Sequence, residues 1–176
     1  MGPLVIALCA FAFTAANPAA PDRRVVDVVE VGDARSEFAH GFAGHDVIRG
    51  TIDGRSYRQT RGWMHFAMTT FEDTEVTVAL TFVAVDSVSR TYDIVVEDSL
   101  LATRTLGPPF TEQATVDVVV PFSLTKGKAN IAVVIRARGG MTPALRQLRT
   151  IQDHYELDPS QEGRSMGSDS IDGNGV

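Results

Sequence analysis

The chain has 176 residues, 44% of them apolar and 22% charged, with a formal net charge of −6, an ordinary balance for a single soluble globular domain. Its 16 Lys and Arg are scattered, with no run longer than Arg23-Arg24; this argues against a nucleic-acid or anionic-membrane partner, since either needs a basic patch. A chain of this length buries a full core without disulfide or metal staples.

The first apolar stretch is 4–16, LVIALCAFAFTAA, which carries no charge. A membrane span needs about 20 apolar residues, so this stretch suits the core of a secretory signal peptide, 1–16, with Thr14-Ala15-Ala16 as small residues before cleavage at Asn17. It departs from the usual pattern in having only the terminal amine as positive charge, and a buried first strand is the alternative. Cys9 is the sole cysteine and leaves with the signal, so the mature chain has neither disulfide nor thiol nucleophile. As a lipid-attachment site Cys9 is disfavoured by bulky Leu8 before it. Asn17-Pro18-Ala19-Ala20-Pro21 then breaks the chain, making 17–24 a linker. Export places the protein outside the cell or in the periplasm.

Short apolar runs and turn signals alternate from there. Residues 25–31 (VVDVVEV) are β-branched and end at Gly32-Asp33; 63–68 follow Arg61-Gly62; 75–83 (EVTVALTFV) alternate, with Val76, Val78, Leu80 and Phe82 on one face. Residues 91–96 run up to the turn pair Glu97-Asp98, 100–106 end at Gly107-Pro108-Pro109, and 114–120 end at Pro121. Residues 130–137 stop at Gly139-Gly140, while 145–154 fit a strand or a short helix equally well. Strands separated by turns every eight to twelve residues or so predict an all-β antiparallel sandwich over 25–156. No amphipathic helices stand between them, as a parallel α/β fold would require. Beyond 156 apolar residues nearly vanish and Gly, Ser and Asp dominate, so 157–176 reads as a flexible tail or a linker.

Polar chemistry concentrates in 36–63, SEFAHGFAGHDVIRGTIDGRSYRQTRGW, read as a long glycine-punctuated connection of the kind that carries function on a rigid scaffold. Glu37 with Asp46 or Asp53 offers a carboxylate pair for glycoside hydrolysis, but two acids within twenty or so residues arise by chance. His40, His45 and Asp46 are ligand types without zinc spacing, so no metal or other cofactor is expected, calcium being the nearest candidate. The segment 170–175 also resembles half of a calcium loop. No Gly-x-Ser-x-Gly elbow is present, and no catalytic residue is assigned. Sugar contact needs an aromatic or apolar wall with a few convergent hydrogen-bonding groups; Glu37, His40, Tyr57, Arg58 and Trp63 are of those kinds, although a lone Trp before Met64 and Phe66 also suits a core position. Arg136, Arg138, Arg146 and Arg149 read as solvated charges that discourage edge-to-edge pairing.

Several spaced elements go together: Val28-Val29-Glu30-Val31-Gly32-Asp33, then Ser36-Glu37-x-x-His40, Gly50, Tyr57-Arg58, Gly62-Trp63-Met64, Arg90-Thr91-Tyr92-Asp93-Ile94, Pro121-Phe122, and Leu145-Arg146-x-Leu148-Arg149. In this order they resemble the C-terminal β-sandwich domain of the β-L-arabinofuranosidase-like glycoside hydrolases, families one hundred and twenty-seven and one hundred and forty-six, over roughly 25–155. The resemblance implies a jelly-roll-like sandwich beside a catalytic helical barrel in plant-glycan degradation, with Glu37, His40 and Arg58 nearest any glycan. The barrel that holds the family's acids is not within these residues, so its activity is not implied. The expected function is a secreted, non-catalytic carbohydrate-binding or accessory module, whose partner is a plant cell-wall oligosaccharide or a catalytic glycosidase domain. The alternatives are a purely structural sandwich packing on a catalytic partner and a small hydrolase.

Overall fold

The computed structural model describes residues 22–71, 74–108 and 113–154. The expected signal peptide, 1–16, the linker as far as 21, and the tail, 157–176, lie outside the described residues, whereas 22–24 form the start of the first strand. In chain order the elements are β1 (Asp22–Glu30), α1 (Ala34–Ala39), β2 (Ala43–Ile52), β3 (Arg55–Thr69), β4 (Val76–Val83), β5 (Arg90–Val96), β6 (Ser99–Leu106), β7 (Gln113–Val120), α2 (Phe122–Thr125), β8 (Asn130–Ala137) and β9 (Ala144–His154).

The fold is the expected all-β antiparallel sandwich. One layer is β6-β5-β8-β3 and the other β7-β4-β9-β1, with β2 on the free edge of β3. The layers join at one rung, Arg58 opposite Leu145. There β3 takes up the edge of β9 that β1 leaves at Glu30, opposite Gln147. Alternate side chains fill the space between layers: Met64, Phe66 and Met68 of β3 face inward, as do Val76, Val78, Leu80 and Phe82 of β4. The rings of Phe82 and Tyr92 meet edge to face at 5.0 Å. Each such side chain contributes about 1.5–3 kcal/mol by leaving water, which is why period-two patterning in 75–83 and 130–137 predicts these strands well.

The structure decides one segment that the pattern left open and departs from expectation at another. Residues 145–154, ambiguous in pattern, form a strand paired with β1 on one side and β4 on the other. Leu145 and Leu148 are both core residues, and their spacing of three imitates a helix. A bulge makes it compatible with a strand: Thr81 faces Gln147 and Phe82 faces Leu145, so Arg146 is the extra residue.

The departure is larger. The expected long connection 36–63 is regular structure: most of α1, all of β2 and the first half of β3. Being a mostly exposed edge strand, β2 shows no apolar alternation, and its existence is set by its partner. Asp53-Gly54 closes the β2–β3 hairpin with both residues at positive φ (51° and 72°), the geometry of a type I′ turn. Further along, His45 faces Trp63 and Val47 faces Thr60, so β3 carries a bulge at Arg61-Gly62. Thr60 patches it, its hydroxyl donating to the His45 carbonyl at 2.6 Å and accepting from the Gly62 amide at 2.8 Å. A β-carbon at Gly62 would lie 2.7 Å from the His45 carbonyl oxygen, so the backbones approach this closely only with glycine.

Candidate functional site

The five sequence-predicted contact residues fall into four places. Glu37, on α1, is buried (4% exposed). Its Oε1 accepts from Arg58 Nε at 2.9 Å and from the Gly32 amide at 2.7 Å, and its Oε2 accepts from an Arg58 terminal nitrogen at 2.6 Å. Arg58 in turn lies 5.2 Å from the centre of the Phe42 ring, and its pKa is raised chiefly by the hydrogen bond to Glu37. This bidentate pair ties α1 to β3. Glu37 therefore does not face an opposing carboxylate across open solvent: Asp53 sits in the hairpin turn and Asp46 at the bulge.

His40 is held at the C-terminal end of α1. Its Nδ1 lies 2.6 Å from the Ser36 carbonyl and its Nε2 3.0 Å from Asp27 Oδ1. Both partners are acceptors, so the protonated ring, in which both nitrogens donate, satisfies both contacts. Burial opposes that charge, but the Asp27 and Ser36 hydrogen bonds outweigh it and raise the His40 pKa. Burial likewise pushes Asp27 up, and the Thr69 amide and His40 overcome it, leaving the carboxyl below its usual value. Tyr57, on β3, packs its ring over the backbone of Gly50, where a β-carbon would lie 2.1 Å from the ring.

Trp63 is different. Its neighbour Met64 is fully buried, whereas Trp63 is 39% exposed, so the indole stands on the outer face of its layer. Its register partners are His45 on β2 and Arg136 on β8; Arg58 faces Arg49 and Leu145. Beyond Arg136 the same row continues to Asp93 and then Thr103. Asp93 Oδ1 accepts from the Thr103 hydroxyl at 2.7 Å and forms an ion pair with Arg138, whose Nε lies 3.2 Å away, while Oδ2 accepts from Arg136 at 3.1 Å. These bonds, that of Thr103 first, keep its pKa below the usual value despite burial. The Asp93 side chain is 3% exposed, but those of Arg136 and Arg138 are 52% and 57% exposed. Two guanidinium groups thus share one buried carboxylate, leaving one positive charge in excess and several free N–H donors beside an open indole. Val134 and Val95 form the next row. An aromatic wall with fixed polar donors is the chemistry of hydroxyl-rich ligand recognition.

Sequence reasoning missed Asp93, Arg136 and Arg138 as a group. Two signals were present: arginines two apart on a strand share a face, and a single acid inside TYDIVV needs a partner once buried. Phe38 was missed as well; at 89% exposed it is the most open of the large apolar residues among those described. Among the described residues no group of three or more His, Cys, Asp or Glu converges as a metal cage, and the calcium-loop-like 170–175 lies outside them.

The sequence profile of DUF6805, a family of unknown function, matches residues 21–151. The chain belongs to that family. No curated protein matches the sequence of this DUF6805 member. Among solved structures, a family 35 carbohydrate binding module from an environmental isolate superposes with a TM-score of 0.55 at 17% identity, covering 73% of this chain and 98% of that one. A family 35 module from Clostridium thermocellum gives 0.53 at 9% identity, covering 73% and 97%. The ANXUR1 extracellular domain from Arabidopsis thaliana gives 0.56 at 6% identity, covering 76% and 49%. At such identities the likeness establishes the shared sandwich fold alone.

Proposed function

We propose that this DUF6805 domain is a non-catalytic carbohydrate-binding module that works within a secreted plant-glycan-degrading glycoside hydrolase system and contacts sugar through the outer face around Trp63. The observation that carries the reading is the exposed indole in register with Arg136, whose guanidinium is steered by buried Asp93. The ring supplies a stacking surface and the arginines supply bidentate donors for vicinal hydroxyls. Glu37, His40 and Arg58 act in this reading as framework, holding α1 and the start of β3 in place. The solved carbohydrate binding modules of the same fold support binding over catalysis. The choice of arabinose-containing polymers, and of a glycosidase as the working partner, rests on the resemblance of 25–155 to the arabinofuranosidase-associated domain. Titration calorimetry with arabinan oligosaccharides tests it. Binding that Trp63→Ala and Arg136→Ala each weaken at least about tenfold is the expected result, and binding indifferent to both sinks the site.

One observation favours a structural role instead. On the outer face of the opposite layer, Val25, Ile151, Thr77 and Val119 stand in one row across β1, β9, β4 and β7, and Val25, Val28 and Val119 are exposed. An apolar stripe of this kind suits packing against a catalytic domain.

A further inference from the structure

At the hairpin end of the sandwich, a cleft of about 280 Å³ is lined by Glu30, Arg49, Arg55, Ser56 and Arg146. It adjoins a second of about 360 Å³ that shares Glu30, Arg55 and Arg146 and adds Thr81, Gln113 and Gln147. Together they reach the size of a small-ligand site, about 300 Å³ and upward. Arg55 lies eight residues before Trp63 on β3, roughly 25 Å away by the rise of a strand, so this is not the face already described.

Each arginine is placed by a separate local feature. Arg146 is the extra residue of the β9 bulge, and its carbonyl accepts the Val31 amide at 2.9 Å. Arg55 follows the tight Asp53-Gly54 turn. Arg49 donates to the Ser56 hydroxyl at 3.3 Å. None of the three takes part in an ion pair among the described residues. The acids at the rim are engaged: Glu30 Oε1 accepts from Gln147 at 2.6 Å, and Asp33 Oδ1 accepts the Ser36 amide at 2.8 Å. The three guanidinium charges outnumber the two rim carboxylates, Glu30 and Asp33, so the cleft keeps a net positive charge that an anion between the arginines would neutralise.

We propose that this cleft is a second binding site, taking an oxyanion carried on a hydroxylated ring of monosaccharide size. The guanidinium groups grip the carboxylate or sulfate bidentately. Gln113, Gln147, Thr81 and Ser56 offer amide and hydroxyl groups for the ring hydroxyls.

The test is calorimetric titration of the full chain with glucuronate, glucose 6-sulfate, glucose and inorganic sulfate, at low and high salt. At least one charged sugar binds, the tighter of the two naming the oxyanion, and glucose binds about tenfold more weakly or worse. Affinity falls with salt. Arg146→Gln and Arg55→Gln each lose about tenfold, with unchanged thermal unfolding, and Arg146→Lys recovers part of the loss. Trp63→Ala leaves this binding intact, so failure here and failure of the arabinan site are separable. Glucose binding as well as the acids, neither acid binding, or both glutamine variants binding normally overturns the proposal. Inorganic sulfate binding as tightly as the sugars, an adventitious ion only, also overturns it.

Discussion

Two arginine–carboxylate clusters built from the same residue types do opposite work. In the Glu37–Arg58 cluster the acid is buried and both its oxygens are taken by one guanidinium and a backbone amide. In the Asp93 cluster the acid is just as buried, yet its two arginines remain about half exposed. The first is saturated internally and can only hold elements together. The second fixes its arginines at one end and leaves the other end to solvent, beside Trp63. What separates the internal framework from the proposed contact surface is therefore the ratio of donors to acceptors and the direction of the strand face, not the identity of the residues.

That contrast can be broken at either end. The largest expected effect is Glu37→Ala, which leaves Arg58 partly buried and unpaired and lowers unfolding free energy by about 3 kcal/mol, read by urea denaturation; an unchanged midpoint removes the framework role. Trp63→Ala costs little in the same assay because the ring is already partly exposed, but weakens sugar binding by about 2 kcal/mol, roughly thirtyfold in Kd. Asp93→Asn keeps shape and removes the charge that steers both arginines. It lowers stability by about 1 kcal/mol and sugar affinity by roughly tenfold; a stability loss with full affinity would put the arginines outside the contact surface.

The smallest effect is pH dependence at α1. His40 has a raised folded pKa, so its contribution is fully present below the unfolded value of about 6.5 and is lost as pH climbs through the folded value. Asp27 has a lowered one, so its contribution is present above about 3.9 and is lost as pH falls through the folded value. The pair therefore supports the fold best between those limits. His40→Gln flattens the alkaline side of the thermal-stability profile; a profile identical to that of the parent protein shows that His40 does not carry the charge.

Much of the fold was legible because burial on one face writes itself along a strand: 75–83, 91–96, 100–106, 114–120 and 130–137 all became strands at nearly those bounds. The stretch 36–63 was not legible, because an exposed edge strand and a six-residue helix carry little apolar periodicity. Leu145 and Leu148 left their segment ambiguous for a related reason, since one bulge shifts the apparent period from two to three. At the candidate site, Trp63 was named from sequence as an aromatic contact candidate, whereas Asp93, which steers Arg136 beside it, was not.

The sequence by itself determined the class of fold and the scattered, net negative charge, because both follow from local composition and the alternation of apolar residues. Only the tertiary structure decided which polar groups meet. Arg136 reaches Asp93, 43 residues away in sequence, and Arg58 reaches Glu37, 21 residues away, through strand register. Register is a collective outcome of packing two layers together, and no short segment contains it.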